Sequence, residues 1–239
     1  MELFFDEQAL SLMELYSSFR NDMVVLYERK EKCDLIFQAT NGSIPVHSSI
    51  LFARLNNIPI ETLSKVFGFR EKREIDIFFK WIYGGLIDSN EENDIINEIG
   101  IEIGLNEELI KQKTGIDKLK EEISFLYFDD EGKDFTIISG DSSVKIHSSM
   151  LLARSDLYRG MLLMCNDDSN KVTDYSGLSI QALQTLIHFI YFDEILENVP
   201  ISVLKELKYI EDYFQLSLSS SLVLKINEIL EERKLEIKK

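Results

Sequence analysis

Two short apolar runs, each closed by a turn signal, interrupt a chain whose apolar residues otherwise recur at helical spacing. Leu10, Leu12, Met13, Leu15, Tyr16 and Phe19 form the first stripe, ahead of Arg20-Asn21-Asp22, and the pattern predicts an amphipathic helix that opens the protein. Leu35 to Ala39 and Ile44 to Val46, with Asn41-Gly42 between them, predict a two-stranded hairpin. His47-Ser48-Ser49 and the run Ile50 to Arg54 then open a helix, with the serines placed to accept the orphan amides of its first turn. This order comes twice: Asp34 through Arg54 returns in register, without a gap, as Asp134 through Arg154.

The correspondence continues downstream. Ile75 to Tyr83 matches Leu183 to Tyr191, and Ile95 to Leu105 aligns loosely with Leu204 to Leu216. The first copy is the shorter, and the stretch of the second without a counterpart lies around Met164 to Lys171. Leu222, Ile226, Ile229, Leu230 and Ile237 predict a last helix, with Lys238-Lys239 suited to its C-terminal end. A repeat far longer than the roughly 20–50 residues of a solenoid unit implies whole domains, each closing its own core. Residues 1–115 and 116–239 are the expected domains, each of mixed α+β class. Ile110 to Leu119 has little loop character, so the connection is expected to be short.

Hydrophobic residues at 45% and charged residues at 28%, with 11 Gly and 3 Pro in 239 residues, describe a folded, helix-rich chain. The net charge of −16, without a basic stripe, makes the electrostatics of phosphate binding repulsive, so neither nucleic acid nor an anionic membrane is an expected partner. A basic protein surface suits it better. The first residues lack a leader pattern, and no apolar run approaches the length needed to span a bilayer, so intracellular residence in cytoplasm or nucleus is expected. Cys33 and Cys165 fall at non-equivalent places, as reduced packing residues do.

Chemistry-bearing residues are few. His47 and His147 are equivalent, at a corner between strand and helix, and are read with Asp34 and Asp134 as structural, hydrogen-bonded groups. No cysteine or further histidine stands at zinc-like spacing. Ser48-Ser49 and Ser148-Ser149 beside the histidines are explained by capping without a nucleophilic role. Asp129 to Asp134 lacks the ligand order of a calcium loop, Lys133 standing where a ligand belongs. No enzyme, metal or cofactor is therefore expected. Met161-Leu162-Leu163-Met164 fits a core segment or an exposed partner surface equally.

Asp134, Ile146-His147, Leu151, Ala153-Arg154-Ser155, Tyr158-Arg159-Gly160-Met161, Phe189-Ile190-Tyr191 and Asp212 to Leu216 together resemble the BTB/POZ domain. Cys33-Asp34, Val46-His47, Leu51, Ala53-Arg54, Trp81-Ile82-Tyr83-Gly84 and Leu86 resemble it in the first copy, which departs at Leu55-Asn56-Asn57. The resemblance implies a tandem of two such domains, each a short β-sheet flanked by a cluster of α-helices. It implies protein partners, through a homodimer, a heterodimer or an internal pseudo-dimer. The helix ahead of the first hairpin, with Leu12, Leu15, Tyr16 and Phe19, is the dimerisation helix it implies. Many members recruit a cullin scaffold for ubiquitin transfer, which would place Leu162, Met164, Asn166 and Tyr191 on the contact surface, with Asn166 where such members carry Glu. A ubiquitin-ligase adaptor and a structural scaffold unrelated to ubiquitin both fit this pattern.

Overall fold

The stripe Phe19, Met23, Leu26 and Tyr27 buries one face of the first helix, α1 (Ser18–Arg29). Met23, Leu26 and Tyr27 carry its apolar face through the polar triplet Arg20-Asn21-Asp22, and of the stripe expected from Leu10 to Phe19 only Phe19 falls among the described residues. The structure is a computed structural model and describes residues 18–55, 57–164, 171–175, 177–214 and 219–237. Leu12, Leu15, Tyr16 and Asn166 lie outside them.

The chain divides into two compact units, Met1–Ile123 and Ser124–Lys239. In the first, α1 is followed by β1 (Leu35–Ala39), β2 (Gly42–Val46), α2 (Ser48–Leu55), α3 (Ile60–Phe67), α4 (Lys72–Gly84), α5 (Asn90–Glu102) and α6 (Glu107–Lys113). Helix α7 (Ile116–Phe128) carries the division between units within it. The second unit continues with β3 (Phe135–Ser139), β4 (Ser142–Ile146), α8 (Ser148–Arg154), α9 (Asp156–Met164), β5 (Val172–Asp174), α10 (Ile180–Phe192), α11 (Ile201–Phe214) and α12 (Ser219–Ile237). Each hairpin is thus preceded by a helix. Ile116 to Leu119, expected as part of a connection, is the first turn of one of these.

Strands β1 and β2 pair antiparallel with Ala39 opposite Gly42. The turn therefore falls on Thr40-Asn41, a residue earlier than the Asn-Gly signal. It is held from outside: the Thr40 amide donates to the Arg70 carbonyl at 3.0 Å, and Asn41 Oδ1 accepts the Lys72 amide at 2.7 Å. In the second unit β3 pairs with β4 in the same register and also, in parallel, with β5. The third strand was not expected; three residues are too few to show alternation.

Helix α4 starts from a capping box in which Glu71 and Glu74 satisfy each other's amides, and it stops at Gly85, whose φ of 66° permits the left-handed end. Between those signals Ile75, Phe78, Phe79, Trp81, Ile82 and Tyr83 are buried. Phe79 packs 5.7 Å from Phe37 of β1 and 5.3 Å from Phe67 of α3, so one aromatic cluster ties sheet to helices. Helix α10 plays the same part in the second unit, starting at Ser179, which accepts the Ala182 amide at 3.1 Å.

Candidate functional site

The strand-to-helix corner is built the same way in both units. His47 Nε2 lies 2.9 Å from the Glu31 carbonyl, and Nδ1 lies 3.0 Å from the Tyr83 hydroxyl, which also accepts the His47 amide at 2.8 Å. His147 repeats the set with Glu131 at 3.1 Å and with Tyr191 at 2.8 and 3.0 Å. A carbonyl can only accept, so Nε2 carries the proton and Nδ1 accepts from the tyrosine. Burial holds both imidazoles below the usual histidine range. Each ring is thus neutral and fully bonded.

Beside each histidine, an aspartate caps the next helix. Asp34 Oδ1 accepts the Ser48 amide at 2.8 Å and Asp134 Oδ1 accepts that of Ser148 at 2.7 Å. The hydroxyls of Ser48 and Ser148 donate to the other carboxylate oxygen. This corrects their expected part: they are donors to an aspartate, not acceptors of helix amides. A carboxylate outcompetes a hydroxyl for these protons because charge-assisted bonds are roughly twice as strong.

A third repeated element is a buried arginine beneath the corner. In the first unit Arg54 donates to the Ile82 carbonyl at 3.0 Å, to the Lys113 carbonyl at 2.8 Å and to Glu122, and Lys113 Nζ reaches Glu122 at 2.6 Å. In the second, Arg154 bonds Asp193 at 2.7 Å and Lys225 lies 3.2 Å from the same carboxylate. Both sets are an arginine, a carboxylate and a lysine.

These groups spend their polar atoms on one another and leave no free nucleophile and base aimed at a common point. Cys33 Sγ sits about 4 Å from the His47 ring, but burial pushes its thiol up to about 11, which keeps it protonated. Among the described residues, no group of three or more His, Cys, Asp or Glu could hold a metal ion. No helix among them is long and apolar enough to cross a membrane.

Apolar side chains are what the surface offers. At the end of α9, Met164 is 85% exposed and Leu163 is exposed beside it, while Leu162 is 9% exposed and faces the core. Tyr191, implied on the same surface, is fully buried with its hydroxyl committed to His147. Phe19, implied in dimerisation, is likewise fully buried in its unit. Phe125 and Phe128, which the sequence did not single out, are exposed on α7, with Phe128 edge-on to Phe192 at 6.0 Å. Their three-residue spacing was the available signal.

Comparison with known proteins adds a family to this geometry. No curated protein matches the chain. Among solved structures 28 chains match, one of them the BTB domain of zebrafish PATZ1, at 19% identity and a TM-score of 0.38, over 47% of this chain and 91% of that one. The BTB/POZ domain family model matches residues 127–232, from the end of α7 into α12. The second unit therefore contains a BTB/POZ domain, a module of protein–protein interaction and oligomerisation.

Proposed function

We propose that this chain is a non-enzymatic assembly protein in which two BTB/POZ-like units, the second recognisable and the first shortened, present separate surfaces to protein partners. The observation that carries the reading is the repeated corner. His47, Tyr83 and the Glu31 carbonyl reproduce, atom for atom, the bonds of His147, Tyr191 and the Glu131 carbonyl. Asp34 and Ser48 likewise reproduce Asp134 and Ser148. Exposed Phe125, Phe128, Leu163 and Met164 supply apolar area for association, and the net charge of −16 favours basic partners. Sedimentation of the purified chain tests the reading: a concentration-dependent dimer that Phe128→Asp weakens is expected. A strict monomer that captures no protein from its native cell would sink it.

A second reading, an adaptor for a cullin scaffold, is favoured by the exposure of Met164 at the end of α9. Against it stands Tyr191, buried and bonded to His147. Mixing the chain with a cullin N-terminal region separates the two readings. A complex at micromolar concentration that Met164→Asp abolishes supports the adaptor, and its absence leaves the scaffold.

A further inference from the structure

The sheets of the two units differ on one side. Strand β3 lies between β4 and β5, whereas β1 has β2 as its one neighbour among the described residues. Opposite Ile36 stands Pro45, which has no amide to give, and the two-residue turn makes Ala39 and Gly42 a mutually bonded pair. The alternation then points the amide and carbonyl of Ile36 and Gln38 away from β2. In the second unit the equivalent residues are Thr136 and Ile138, and they are the ones bonded to the third strand: the Thr136 amide donates to the Lys171 carbonyl, and the Ile138 carbonyl accepts the Tyr175 amide, both at 2.7 Å. Among the described residues, the edge of β1 is closed only at the turn, where the Thr40 amide meets the Arg70 carbonyl. Ile36 and Gln38 are both exposed, and their outward groups have no hydrogen-bond partner among the described residues. A bare strand edge is a template for another chain.

Charge differs at the same place. Lys171, the residue just before β5, sets its Nζ 3.1 Å from Asp134 Oδ2. Asp34, the equivalent carboxylate, has no cation paired with it among the described residues.

We infer that the free edge of β1 docks an extended segment of a partner protein, parallel to β1, with a lysine or arginine opposite Asp34 and β-branched residues after it. Such a segment takes on the first unit the place that Lys171 to Tyr175 takes on the second. Backbone bonds to Ile36 and Gln38 supply its affinity, and the basic residue at Asp34 sets its register. The inference rests on the reading of the chain as an interaction protein but uses the edge of β1 rather than the exposed Phe128 by which that reading is tested.

The test is a titration of the full ¹⁵N-labelled chain with a synthetic peptide carrying the sequence of residues 169–177. The largest amide shifts are expected at Ile36 and Gln38. Ile36→Pro removes the outward donor at a position whose partner is already a proline, and is expected to weaken binding about tenfold. Two altered peptides give the same readout without touching the protein: Lys171→Glu, and Thr173→Pro at the residue between the two bonds to the strand. Both are expected to lose binding. No shift on β1 with about 1 mM peptide, or equal affinity for the proline peptide, overturns the inference. Sedimentation of the chain alone reads assembly separately, so either result stands without the other.

Discussion

At the residue scale, one tyrosine hydroxyl makes two bonds at each corner, and its removal leaves two buried groups wanting. Tyr83→Phe exposes the His47 amide and Nδ1 to an apolar ring edge at once. An unsatisfied buried polar group costs about 1–3 kcal/mol, so the variant is expected to lose at least that much stability. Trp81, the single tryptophan, lies in the same helix and reports it through fluorescence in a urea titration. An unchanged midpoint would mean that water replaces the hydroxyl at no cost. The histidines give a pH signature. Both are held below the ordinary value of 6.5 by burial, so the unfolded chain takes up a proton first on acidification. The stability they contribute is fully present above pH 6.5 and is lost as the pH falls towards their folded values. The urea midpoint is therefore expected to be lower at about pH 5.5 than at about pH 7.5. The equivalence of the two histidines is plain in the sequence. Their tyrosine partners, 36 and 44 positions away, are not, because nothing local ties a helix end to a strand end. The recurrence of Ile-Tyr at Tyr83 and Tyr191 was the signal that could have joined them.

At the scale of elements, the two units solve one problem with different parts. Helices α4 and α10 both end on a left-handed residue, Gly85 at φ 66° and Asp193 at φ 58°. Aspartate there costs roughly 1–2 kcal/mol of backbone strain, yet its carboxylate is the partner of buried Arg154 and of Lys225. The first unit cannot use the same device. A Cβ on Gly85 would stand 2.9 Å from the Gly115 carbonyl, so the carboxylate for Arg54 comes instead from Glu122. Magnitudes decide the outcome of exchanging them. Asp193→Gly relieves the strain but removes the carboxylate that buried Arg154 and Lys225 share, and a hydrogen bond to a charged group is worth about 1.5–3 kcal/mol, so destabilisation is expected in a thermal melt. A more stable Asp193→Gly protein would show that the pair contributes little. Capping gives a second prediction at this scale. Asp134→Ala removes the acceptor of the Ser148 amide and is expected to cost about 1 kcal/mol, read from the same melt. The order of hairpin and helices was legible from apolar spacing and turn residues. The third strand was not, and neither was the capping aspartate, which stands 14 positions ahead of the helix it caps.

For the whole molecule, the division into two compact units leaves no local mark in the sequence, since α7 runs through it without a turn or a glycine. Charge is the property that belongs to the chain as a whole: 42 acidic residues face 26 basic ones. Like charges then lie within a Debye length of one another over much of the surface at low salt, where that length is about 30 Å at 0.01 M and about 10 Å at 0.1 M. Ion pairs work in the opposite sense. Arg70 holds Glu74, Glu98 and Glu102 at 2.6 to 3.1 Å, and Arg73 holds Glu91 at 2.7 Å, all of which salt weakens. Exposed pairs are each worth about 0–1 kcal/mol, and the buried arginine sets are little screened, so repulsion among the excess carboxylates outweighs the attraction that salt removes. Raising the salt over that range is therefore expected to raise the melting temperature, because screening relieves repulsion that the compact state concentrates. A melting temperature that falls would place the ion-pair clusters, led by Arg70 between α4 and α5, above the net charge in holding the fold together.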